Sequence, residues 1–172
     1  YNVEYINFVT SDKLSDETID KLEKENKVKI YDQRYYELKE AKRNSTIRIY
    51  GERKNVNKLC VMSGRLAKND DEIALDRVFA KNNNYKVGDN ITIDKNTYKI
   101  TGFIAMPDYS CVFEDNADMM FDSVNFGVAS MTDNGLSKLK ESKLSYCYAV
   151  KYNKKPESDK KQKDMSDDFL EN

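Results

Sequence analysis

The sequence predicts an α+β fold: a layer of two β-α-β units interrupted by a β-rich insertion. Three observations point there. Residues 3–36 spell strand, capped helix, strand, and residues 125–152 repeat the pattern. The stretch between them alternates with period two, punctuated by glycine and asparagine turns, and shows little helical periodicity.

Residues 3–10 (VEYINFVT) suit a strand. Ser15 is placed to cap a helix, with Leu14 and Ile19 at the two positions of a hydrophobic staple. Asp16 and Glu17 favour the positive end of its dipole, Lys21 and Lys24 the negative end. Ile19 and Leu22 form its buried stripe, and Asn26 stops it. Residues 28–36 (VKIYDQRYY) read as one further strand. Residues 46–50 (TIRIY) alternate cleanly, and residues 57–62 are apolar. Lys95-Asn96 forms the expected hairpin loop between residues 91–93 and 98–100. Residues 125–130 are a short strand, and Thr132 or Asp133 caps a helix that turns Leu136 and Leu139 inward. Residues 145–152 close the second unit with Tyr146, Tyr148 and Val150 on one face. After Pro156, Met165, Phe169 and Leu170 have helical spacing within a charged stretch that reads equally as a solvated tail. Two β-α-β units of this size describe a ferredoxin-like layer, residues 1–51 and 123–172, with residues 52–122 inserted as a β-rich subdomain.

Composition narrows the function. The 172 residues are 39% hydrophobic and 34% charged, long enough for a core and too apolar for a disordered chain. A net charge of -1, from 29 basic and 30 acidic residues, argues against nucleic acid as a partner. There is no histidine, which removes the commonest general base near neutral pH and the commonest zinc ligand. The chain starts at Tyr1 rather than Met. It holds no apolar run of the roughly 18–20 residues that span a bilayer, and is expected to be a piece of a longer protein.

No catalytic, cofactor or metal set stands out. Cys60, Cys111 and Cys147 are widely spaced, as buried thiols or as one disulfide with a leftover thiol. Asp70, Asp71 and Glu72 read as a solvated turn, and Glu114, Asp115, Asp118 and Asp122 as a second acidic loop; neither has the EF-hand pattern. Gly64 and Gly88 belong to no phosphate loop and read as turn residues. Without histidine, only a Ser-Lys dyad or carboxylates remain for an enzyme. Tyr31, Tyr35, Tyr36, Tyr146 and Tyr148 fall on adjacent strands, as ordinary cross-strand packing or as a contact surface.

Residues 64–104 carry the densest pattern. Gly64-Arg65-Leu66-Ala67 forms a turn, followed by Glu72-Ile73-Ala74-Leu75-Asp76, Ala80, Val87-Gly88-Asp89-Asn90-Ile91-Thr92-Ile93 and Tyr98-Lys99-Ile100-Thr101-Gly102. In order and spacing this resembles the core extracytoplasmic domain of MacB/FtsX-type ABC-transporter permeases, the MacB-like periplasmic core domain. Ala67 stands where that family often has proline.

The resemblance implies a porter-type layer and assigns structural roles to Gly64, Arg65, Glu72, Leu75, Asp76, Gly88, Asp89, Tyr98 and Gly102. It implies a non-catalytic domain without cofactor on the extracellular face of a cell membrane. ATP hydrolysis on a cytoplasmic ABC ATPase would be mechanically transmitted to it through transmembrane helices of the same permease. A second permease copy or an extracytoplasmic partner protein would meet it. Family roles include export of peptides or antibiotics, lipoprotein handling and partner activation. A secreted or surface-anchored protein-binding module without a transport role is the competing expectation.

Overall fold

A computed structural model of the chain describes residues 6–107, 124–154 and 159–170. Cys111 and the acidic stretch Glu114 to Asp122 lie outside the described residues.

The first β-α-β unit forms as its caps dictate. Strand β1 (Ile6–Thr10) leads to helix α1 (Asp16–Asn26), and the Ser15 hydroxyl accepts a hydrogen bond from Thr18 N. Lys27 ends the helix in the left-handed region, at φ 53°, and its N–H donates to Glu23 O. Strand β2 (Val28–Asp32) follows. The last strand, β10 (Leu144–Tyr152), lies between β1 and β2 and is antiparallel to both, giving a split β-α-β. Helix α1 and the final helix (Asp159–Leu170) cover one face of this layer. Ile19, Leu22, Met165 and Phe169 pack there on Val28, Tyr148 and Val150. The charged C-terminal stretch is therefore a helix. Burying the Phe169 ring contributes about 2 kcal/mol.

Residues 28–36, expected as one strand, form two. Strand β3 (Tyr35–Lys39) begins after a break at Gln33-Arg34, yet the pairing register against β10 is the same on both sides. Tyr148 faces Asp32 and Ser145 faces Tyr35, with two residues between on each chain. The Asp32 carboxylate accepts from Arg34 N at 2.9 Å and pairs with the Arg34 guanidinium, closing a local turn that competes with the ladder. Gln33 is buried and holds the bend. Its N–H donates to Cys147 O at 2.8 Å, and its side-chain oxygen accepts from Asn57 Nδ2 at 3.1 Å.

Beyond the bend the strands close a ring. β3 pairs antiparallel with β4 (Thr46–Tyr50), and β4 parallel with β9 (Phe126–Ser130). β9 meets β6 (Glu72–Asp76) through Ala74–Ser130 and Leu75–Ala129. β6 runs parallel to β8 (Asn96–Ala105), which forms a hairpin with β7 (Asn90–Ile93). β7 then returns to the end of β3: Glu40 bridges Ile93, Ala41 N donates to Thr92 O at 2.9 Å, and Asp94 N donates to Lys39 O at 3.0 Å. Leu38, Ile47, Ile49, Ile73, Leu75, Ile91, Ile93 and Ile100 fill the interior. Strands from residues 52–122 and from the flanking segments thus share one hydrophobic core. Strand β5 (Cys60–Gly64) stands outside the ring, paired with the far half of β8.

One local expectation shifts. The β7–β8 hairpin turns at Asp94-Lys95, not Lys95-Asn96. Both turn residues have positive φ, 44° and 73°, as a two-residue loop matching strand twist requires. Within the alternating residues 46–50 the charged Arg48 is buried, at 2% exposure. Its guanidinium lies 4.3 Å from the centre of the Tyr35 ring and bonds Glu37 at 2.8 Å.

Candidate functional site

Gly64, Arg65, Glu72 and Gly102 of the 64–104 pattern converge where the chain leaving β5 crosses β8 to reach β6. Gly64 sits at φ +66°, and a Cβ there would run into Thr101 O and stand 2.9 Å from Gly102 Cα. Gly102 lies beneath the next residue of the crossing. A Cβ on it would run into Arg65 O and stand 2.7 Å from Arg65 N and 2.8 Å from Ser63 O. Arg65 N donates to Thr101 O at 3.0 Å, and the Thr101 hydroxyl donates to Arg65 O at 3.1 Å. Two glycines therefore let one strand pass over another with main chain touching main chain.

An ion pair fixes the far side of the crossing. The Arg65 guanidinium makes a two-pronged contact with the Glu72 carboxylate at 2.7 and 2.8 Å. Glu72 also accepts from Lys68 N at 2.8 Å and Asn69 N at 3.2 Å. The Arg65 contact, with these backbone donors, holds the Glu72 carboxyl far below its ordinary range. The expected solvated turn at Asp70 to Glu72 is corrected at Glu72; Asp71 is exposed. Glu72 is buried, and Asp70 accepts from Thr132 Oγ1 at 3.0 Å and pairs with Lys138 at 2.7 Å. Glu72 turns inward because Arg65 and two backbone donors hold its charge, whereas Asp70 stays at the surface.

The other motif residues have local tasks. Leu75 is fully buried in the ring. Asp76 caps helix α2 (Arg77–Asn82), accepting from Phe79 N at 2.8 Å; burial pushes its carboxyl up, and the backbone donors of Phe79 and Val78 offset this. Gly88, at φ +98°, donates to Ile100 O at 2.8 Å, while the Asp89 carboxylate accepts from Lys86 N. Tyr98 is buried against the ring core. Thr101 and Asn69 were not singled out in the sequence, because a threonine in a strand and an asparagine in a loop carry no spacing signal.

The five tyrosines do not form one open surface. Tyr35, Tyr36 and Tyr148 are buried in three separate apolar clusters, and burial pushes their phenols up. The Tyr148 hydroxyl accepts from Leu14 N at 2.9 Å, tying β10 to the start of α1. Tyr31 and Tyr146 are half-buried. Cys147 is buried, as expected of a core thiol, whereas Cys60 is half-buried at the edge strand.

A cleft of about 770 Å³ lies at the bend between the two sheets, lined by Arg34, Tyr36, Tyr50, Asp133 and Tyr146 among others. Its charged groups are largely engaged: Arg34 holds Asp32, and Asp133 accepts from Glu52 N at 3.0 Å. No group of three or more His, Cys, Asp or Glu among the described residues is arranged to hold a metal ion. Among the described residues no helix is long and apolar enough to cross a membrane.

No family profile and no curated protein matches the chain by sequence. Among solved structures, it is similar to the periplasmic region of MacB from Actinobacillus actinomycetemcomitans. That alignment has a TM-score of 0.46 and 15% identity, over 92% of this chain and 74% of that one. It is also similar to the extracellular domain of the noncanonic ABC-type transporter YknZ from Gram-positive bacteria. There the TM-score is 0.46 and the identity 13%, over 95% of this chain and 87% of that one.

Proposed function

We propose that this chain is the extracytoplasmic domain of an ABC-transporter permease of the MacB/FtsX type, a non-catalytic part that relays conformational change. One observation supports the reading above others. Four of the residues by which the sequence resembles that family, Gly64, Arg65, Glu72 and Gly102, build a single joint in which β5, β6 and β8 are locked together. A joint of backbone contacts and a two-pronged ion pair resists piecemeal sliding, so force on one strand moves the three as a body. Membrane helices of the same permease would deliver that force from a cytoplasmic ABC ATPase. A second copy or an extracytoplasmic partner would receive it, in peptide or antibiotic export, lipoprotein handling or partner activation.

The full-length gene product tests this. It should carry an apolar segment of about 20 residues on each side of the chain. A cysteine replacing the exposed Ser137 should react with a membrane-impermeant maleimide in intact cells. Labelling only after lysis, or the lack of either flanking segment, would overturn the proposal. A surface-anchored binding module would also label, but would lack one of the segments.

A further inference from the structure

Asn134 is the one asparagine of the chain that is followed by glycine. That pair is the most reactive setting for an asparagine side chain, because glycine has no Cβ to shield its amide nitrogen from the neighbouring carboxamide. The pair lies in helix α3 (Asp133–Ser137), on the chain that follows β9. Asn134 is exposed, whereas Gly135 is buried. A Cβ on Gly135 would stand 3.1 Å from Asp70 O, so the Asp70 turn packs closely on a residue without a side chain.

The fold holds the reactive nitrogen away from its target. Gly135 N donates to the Thr132 hydroxyl at 3.0 Å, and that hydroxyl donates to Asp70 Oδ1 at 3.0 Å. Leu136 N donates to Thr132 O at 2.9 Å. Closing a five-membered ring on Asn134 Cγ needs Gly135 N nearly eclipsed with Cβ about the Cα–C bond, and helical backbone turns it well away. Reaction therefore needs α3 to open. Five residues make too short a helix to hold by its own hydrogen bonds, so its closed state depends on the Thr132 cap and on Leu136 and Leu139, which pack into the ring core.

We infer that Asn134 is a site of spontaneous deamidation, kept closed by the Thr132 cap and released to react when α3 opens. In the open state Gly135 N gives its proton to solvent and attacks Asn134 Cγ. The new C–N bond closes a succinimide, and the Cγ–Nδ2 bond breaks to release ammonia, which takes up a proton. Water then opens the ring at either carbonyl and leaves aspartate or isoaspartate, so the sum is amide plus water to carboxylate plus ammonium. Either product adds a negative charge next to Asp133, which lines the cleft at the bend with Leu136 and Ser137. Isoaspartate also lengthens the main chain by one carbon between Thr132 and Gly135, which puts the cap out of register. The inference stands independently of the transporter reading, since it concerns the chain in solution.

The test follows deamidation in mildly alkaline buffer by peptide mass spectrometry, with isoaspartate labelled by an isoaspartyl methyltransferase. In the urea-unfolded chain Asn134 should be the first asparagine to react, and in the folded chain it should react at least about tenfold more slowly. Thr132→Ala, which removes the cap, should speed the folded-state reaction about tenfold. If that variant does not fold, the native chain in urea below its unfolding transition gives the same reading, as a rate that climbs with urea. The Gly135 amide should also exchange with deuterium before those of Ile73 and Leu75 in β6. Four outcomes would each overturn the inference: equal rates in folded and unfolded chain, another asparagine reacting first when unfolded, a rate that neither Thr132→Ala nor urea changes, or Gly135 exchanging no sooner than Ile73 and Leu75.

Discussion

Gly102 lies so close beneath Arg65 that its α carbon has no room for a methyl group: an added Cβ would stand 2.7 Å from Arg65 N and closer still to Arg65 O. The neighbours are backbone atoms of a strand crossing, held by the reciprocal bonds between Arg65 and Thr101. They cannot swing aside as a side chain would.

The three motif glycines should therefore differ sharply in tolerance. Gly102→Ala is expected to destabilise the chain by about 3 kcal/mol through backbone overlap. Gly64→Ala meets both overlap and positive φ, and should cost about as much. Gly88→Ala meets nothing within 4 Å, leaving only its φ of +98°, so about 1 kcal/mol is expected. Urea unfolding of the three variants checks the order; equal losses would contradict it.

Glu72 should make stability acid-sensitive. Its carboxyl titrates far below the ordinary 4.5 because Arg65 and the Lys68 and Asn69 amides hold the charged form. A lowered folded-state pKa gives stability that is complete above 4.5 and lost as pH falls toward the folded value. Glu72→Gln is therefore expected to be less stable than the native chain at neutral pH. The gap should narrow below 4.5, read from urea midpoints across an acid series. A gap independent of pH would contradict this origin.

Tyr85 should behave in the opposite sense. Its hydroxyl donates to the buried Glu40 carboxylate at 2.7 Å, and burial, then this bond, pushes the phenol well above 10. A raised folded-state pKa gives stability that is complete below 10 and lost as pH rises above it. Tyr85→Phe should cost about 1–2 kcal/mol at neutral pH. It should also remove one late-ionising phenol from an ultraviolet titration.

Gln33 should matter more than a loop glutamine does. Gln33→Leu removes the bond to Asn57 at the bend between β2 and β3 and should cost about 2 kcal/mol. If the brace fixes the bend, amide exchange at Tyr146 and Cys147 should quicken more than exchange within the ring strand β6.

The local devices were legible because each depends on residues close in sequence. The Ser15 cap, the Thr132 cap and the positive-φ glycines followed from short-range hydrogen bonding and steric freedom. The bend at Gln33-Arg34 was not legible, since the apolar spacing of residues 28–36 continues unbroken through it. Nor was the burial of Glu72, whose acidic neighbours suggest solvent until Arg65 is brought against it.

By itself, then, the sequence determined the α+β class, the order of elements and the pattern at residues 64–104. Only the tertiary structure decided that β7 returns to β3 to close a ring, and that Arg48, Glu40 and Gln33 are buried polar groups. It also decided that Gly64 and Gly102 belong to one crossing. The reason is physical: closure and burial depend on pairings between residues tens of positions apart. Such contacts leave no mark in local periodicity, and form only when the whole ring repays the entropy of bringing the chain together.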